Sequence, residues 1–138
     1  MTDRRHRDQQ GQILVMAVFV MTFLFVPLAV YVIDSGLVEA SYIQMAETLQ
    51  ASAEDGASSV DVAAFRQSGG KVVRLDPVEA RSVTDRSLRA SQLPGLESWT
   101  IGVNGNTVTV TAHVRVRLLV LGTATLTQTK GASFAIGT

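Results

Sequence analysis

The run ILVMAVFVMTFLFVPLAVYVI, residues 13–33, carries no charge, and its only polar members are Thr22 and the hydroxyl of Tyr31. At the helical rise its 21 residues extend about 30 Å, the thickness of a bilayer hydrocarbon core. A soluble domain in a chain of 138 residues can hardly surround a helix that is apolar on every side, so residues 13–33 are expected to be a transmembrane helix. A cleaved secretory signal is the rival reading, with Arg4, Arg5 and Arg7 as its basic region and Val38-Glu39-Ala40 as the cut. Its apolar core would be about twice the usual length. Pro27 has no N–H and its ring clashes with the carbonyl of Phe23, so a kink or a locally opened turn is expected there.

The charges are unevenly placed around this run. Residues 1–12 carry Arg4, Arg5 and Arg7 against Asp3 and Asp8, and residues 13–61 carry Asp34, Glu39, Glu47, Glu54, Asp55 and Asp61 with no Lys or Arg. The remaining nine Lys and Arg face only Asp76, Glu79, Asp85 and Glu97. The positive-inside rule therefore predicts a basic cytoplasmic leader over 1–12 and places residues 34–138 outside, in a single-pass inner or cytoplasmic membrane protein. The formal net charge of zero argues against a nucleic-acid partner.

Beyond the span, Tyr42, Ala46, Leu49, Ala53, Gly56, Val60 and Ala63 recur at spacings of four and three, which predicts a helical stem over 34–68 with a heptad-type stripe. Its small residues suit close approach to another helix or to a sheet, so the stripe is either a subunit contact or a packing face for the chain's own head. The helix is expected to end near Ser68-Gly69-Gly70.

Residues 71–138 read as a small α+β head. Lys71 to Leu75 is a short strand candidate, and Asp76-Pro77 has the form of an N-cap and first helical residue for a helix to Ser91, with Val83 and Leu88 inward. Trp99 to Val103 is a strand, closed by Asn104-Gly105-Asn106 into a hairpin. Val108, Val110, Ala112, Val114, Val116 and Leu118 alternate with polar residues, and a second alternation runs from Thr123 to Thr129. The expected fold class is α+β: a long N-terminal helix and a small C-terminal antiparallel sheet of three or four strands whose apolar face the stem covers. The apolar cluster Leu118 to Leu121 is expected in the core, with a contact to lipid or a partner as the other reading.

No catalytic constellation stands out. Cysteine is absent, His6 and His113 lack a ligand partner at helical spacing, and there is no phosphate-cradling glycine loop or serine elbow. Glu54 and Asp55 are adjacent, so they point about 100° apart on a helix and read as a solvated face. Neither an enzyme nor a metal or cofactor site is expected.

Gln10-Gly11-Gln12 ahead of a single apolar span, Tyr31-Val32-Ile33-Asp34-Ser35-Gly36 at its outer end, and Leu49-Gln50-Ala51-Ser52-Ala53-Glu54-Asp55-Gly56-Ala57 on the continuing helix resemble the TadE/TadG-like proteins of bacterial tight-adherence (Flp, type IVc) pilus systems. The similarity covers roughly residues 9–60, with Asp34, Gly36 and Asp55 as its motif positions. It implies a pilin-like or minor-pilin subunit of an adhesive extracellular filament, with other pilin-like subunits as partners, no cofactor, and prepilin peptidase cleavage between Gly11 and Gln12. Processed members generally carry a glutamate five residues after the cut, where this chain has Met16. The alternative function is a bitopic envelope accessory protein whose external domain binds another envelope component without entering a filament.

Overall fold

The computed structural model describes residues 3–134, with residues 3–10 described by backbone alone; the side chains of Arg4, Arg5 and Arg7 and the last four residues lie outside it. The element order is α1 (Asp3–Ala57), α2 (Val62–Gln67), α3 (Pro77–Ala90), β1 (Leu96–Asn104), β2 (Thr107–Arg117) and β3 (Thr123–Ser133). The three strands form one antiparallel sheet in the order β1-β2-β3. This is the expected α+β layout: one long helix, a shorter one and a small sheet.

α1 is 55 residues long and runs unbroken through Pro27, so the helix does not open at the proline. It ends at Ala57, earlier than the stripe predicts. Ser58 and Ser59 turn the chain, their N–H groups donating to the Glu54 and Gly56 carbonyls. Asp61 then starts a new helix, its carboxylate accepting the Ala64 N–H at 2.8 Å. The stem over 34–68 is therefore two helices rather than one, and the second stops at the Gly69-Gly70 pair, where both φ angles are positive.

Lys71 to Leu75 forms no strand. It makes only an isolated antiparallel bridge between Val60 and Leu75. α3 begins as its sequence dictates, with Asp76 Oδ1 accepting the Val78 and Glu79 N–H groups at 2.9 and 3.1 Å and Pro77 needing no partner. Its inner residues are Ala80, Thr84 and Leu88, while Val83 is half-buried.

β2 is the centre of the sheet, and its alternation is realised along its whole length: Val108, Val110, Ala112, Val114 and Val116 are buried. The opposite face is a polar ladder in which Thr107 pairs with Ser133, Thr111 with Thr129 and His113 with Thr127 through side-chain hydrogen bonds of 2.8–2.9 Å. β1 starts at Leu96, three residues before the expected strand, because an irregularity between Leu96 and Ser98 interrupts its period.

The sheet lays its apolar face on α1 and α3. Met45, Leu49, Ala53 and Ala57 of α1 and Leu88 of α3 form one core with the inner residues of β2. The stem is thus the cover that a three-stranded sheet requires.

Candidate functional site

The long helix has two unlike halves. From Gly11 to Ala29 every residue is exposed, and a window within Gly11–Ala57 has a mean hydropathy of 2.8. The helix is long and apolar enough to cross a membrane. Its mid-segment hydroxyl is satisfied internally, Thr22 Oγ1 donating to the Val18 carbonyl at 2.8 Å. Phe19 and Phe23 stack along one side with centroids 5.9 Å apart. Pro27 is exposed, and the carbonyl of Phe23 has no proline N–H to receive.

From Asp34 onward the helix is clothed by the head. The face turned inward is Asp34, Val38, Ser41, Met45, Leu49, Ser52 and Gly56, all buried or half-buried. These recur every 3.7 residues or so, close to the period of a straight helix, whereas the heptad-type stripe drifts off that face by about 20° per heptad. Within α1 the drift explains where the stripe residues lie, while Val60 and Ala63 fall beyond its end, in the turn and in α2. Leu49, Ala53 and Gly56 are buried in the chain's own core, Ala46 and Val60 are half-buried at its edge, and Tyr42 and Ala63 are exposed. As a subunit contact the middle of the stripe is unavailable, because the head already occupies it. Met45 and Ser52, which the stripe omits, are the missing inner residues.

Gly56 marks a close approach of α1 to α3. A Cβ there would lie 1.9 Å from Thr84 Oγ1 and 3.0 Å from the Ala80 carbonyl oxygen. Asp55, beside it, accepts the hydroxyl of Ser87 on α3, and Glu54 accepts Gln50 Nε2 at 2.8 Å. The adjacent carboxylates are therefore separate, as the helix angle dictates. Gly36 has nothing within 4 Å of where a Cβ would stand, and the same is true of Gly11 ahead of Gln12.

The arrangement with the most chemistry lies at the junction of the two halves. Asp34 is 2% exposed, although it directly follows the apolar run. Its Oδ1 accepts the Leu119 N–H at 2.7 Å, and its Oδ2 accepts the Val120 N–H at 3.4 Å. These residues belong to the β2–β3 loop, which Leu118 N–H closes by donating to the Gly122 carbonyl at 2.8 Å. The loop's side chains are not in the core, contrary to expectation. Only Leu118 packs on it, and Leu119, Val120 and Leu121 are 66%, 65% and 69% exposed. They fail to reach it because the sheet ends at Arg117 and the loop extends past the core, down the side of the helix. There Val120 and Leu121 face Val26, Pro27, Val30 and Tyr31 across an apolar cleft of about 410 Å³.

Midway along the sheet, Asp85 binds Arg89 Nε at 2.7 Å and Trp99 Nε1 at 2.9 Å, with the Arg89 guanidinium 5.2 Å from the Trp99 ring centre. Arg89 and the indole donor hold the Asp85 carboxyl below the usual aspartate range. Asp61 is lowered likewise, first by the Ala64 N–H and then by Arg74. These are structural ties between elements. Among the described residues no group of three His, Asp or Glu is placed to hold a metal ion.

No family model, no curated protein and no solved structure matches the chain.

Proposed function

We propose that this chain is a membrane-anchored, pilin-like subunit, structural or minor, of a type IVc (Tad-like) adhesive pilus, with its N-terminus in the cytoplasm and its head outside. The observation that carries the reading is the division of one 55-residue helix into a bare apolar half and a half clothed by its own head. In such a subunit the bare half serves twice. It meets lipid before assembly and the helices of neighbouring subunits afterwards, two apolar environments that require the same side chains. The motif residues Asp34, Gly36 and Asp55 add support from the sequence. Gly11-Gln12, immediately before the apolar run, is the peptide bond at which a prepilin peptidase would cut.

Mass spectrometry of sheared surface material tests this reading. The chain is expected in the filament fraction with Gln12 as its first residue; recovery from membranes alone, beginning at Met1, overturns the pilin assignment. Met16 favours the second reading, an envelope accessory protein that remains in the membrane. An intramembrane carboxylate is a means of pairing with a neighbour's charged terminus, and a methionine offers none.

A further inference from the structure

We propose that the β2–β3 loop is a second membrane element: its apolar tip, Leu119-Val120-Leu121, inserts among the lipid chains beside the outer end of the span. The inference rests on the membrane anchoring proposed above and extends it to a part of the head.

The first argument is position. The tip lies against Val26, Pro27, Val30 and Tyr31, all within the apolar run 13–33. Val26 is eight residues before Asp34, about 12 Å down the helix axis. A bilayer that covers residues 13–33 therefore also reaches the loop. The second is composition. Leu118 to Gly122 contains no polar side chain, and its three most projecting residues are each about two-thirds exposed, which leaves an apolar patch continuous with that of the span.

The third argument is the backbone at the tip, where the N–H groups of the first three loop residues are drawn inward. In hydrocarbon every N–H needs a partner from within the protein, and a hairpin turn leaves some open. Here three of the five N–H groups of Leu118 to Gly122 are taken within the protein, Leu118 by Gly122 and Leu119 and Val120 by Asp34. Above the tip, Arg117 is exposed on the strand, two residues from Leu119, at the level where lipid phosphates would meet it.

The chain has no cysteine, so single-cysteine variants of the full protein report on one site each. Val120→Cys, Phe19→Cys and Asn104→Cys would each be labelled with an environment-sensitive fluorophore and reconstituted, at low protein-to-lipid ratio, in phosphatidylglycerol/phosphatidylcholine vesicles containing chain-spin-labelled lipid. Asn104 ends β1 at the far end of the sheet, about 30 Å from the tip by strand rise. Position 19 is expected to be strongly quenched, position 120 several-fold more quenched than position 104, and its emission blue-shifted. Quenching at 19 with position 120 no more quenched than 104 overturns the loop insertion and leaves the anchor standing. Absence of quenching at 19 overturns the anchor and the loop together. Shielding of 120 that grows with protein-to-lipid ratio assigns the tip to a second copy of the chain and overturns its assignment to lipid.

Discussion

Asp34 and Leu119 stand 85 positions apart in sequence and are joined by a 2.7 Å hydrogen bond from the Leu119 N–H to the Asp34 carboxylate. The bond fixes the head to the helix where the bare half gives way to the clothed half. Asp34→Ala would leave the Leu119 and Val120 N–H groups unpaired at a part-buried site, a loss of about 1–3 kcal/mol. Amide exchange should accelerate at Leu119 and Val120 while the core amide of Val110 stays protected. Asp34→Asn keeps a carbonyl oxygen in place and should restore much of that protection.

Gly56 is required by Thr84. Gly56→Ala forces a Cβ into the Thr84 hydroxyl, so α3 must move away from α1, with an expected destabilisation of about 1–3 kcal/mol. Thr84→Ala removes the atom in closest conflict. In a double-mutant cycle followed by thermal unfolding, the pair should therefore be less destabilised than the sum of the single changes. An additive result would place the strain elsewhere.

What could be read from the sequence follows from how local each signal is. The alternation of β2 and the Asp76-Pro77 start of α3 depend on neighbours in sequence, and both are present as read. The end of α1 was legible in principle. Ser58-Ser59-Val60-Asp61 ahead of Val62-Ala63-Ala64 is an N-cap signal that the small-residue stripe overrides when the stripe alone is followed. The role of Asp34 was not legible, because its partners are backbone groups in a distant loop. Leu118 to Leu121 carries no mark of its location either: an apolar cluster after a strand looks the same whether it enters a core or projects from it.

Gln128 lies on the inner face of β3, 8% exposed, and its Oε1 is the one buried side-chain polar atom among the described residues without a partner. A buried unpaired acceptor costs about 1–3 kcal/mol. Gln128→Met, close to it in volume, should therefore raise the unfolding midpoint. A lowered midpoint would mean that the amide is held by a group still to be located.

Acid should weaken the ties made by Asp61 and Asp85. Both carboxyls titrate below their ordinary value in the folded chain, Asp61 because it accepts the Ala64 N–H and pairs with Arg74, Asp85 because of Arg89 and Trp99. A depressed folded pKa contributes stability that is fully present above the unfolded value and lost as pH falls through the folded one. The unfolding midpoint should therefore drop below about pH 4. In Asp61→Asn/Asp85→Asn the same descent should be shallower, starting from a lower midpoint at neutral pH.

Leu49 sits at the centre of the stripe that the sequence offers as a subunit contact, yet it is fully buried within its own chain. Leu49→Glu would place an unpaired charge in the core and should cost more than about 4 kcal/mol, enough to unfold the head. Loss of filaments in that variant would report folding rather than assembly. Tyr42 is 47% exposed on the same helix, outside the core, and a change there leaves the packing of the sheet intact. Tyr42→Glu should keep the unfolding midpoint near that of the parent protein. If the membrane-proximal end of the stripe is a contact between subunits, this variant accumulates in the membrane and is missing from sheared filaments. Normal incorporation of a folded Tyr42→Glu chain would remove that end of the stripe from the assembly interface and favour the bare helix, residues 13–33, as the surface through which subunits join.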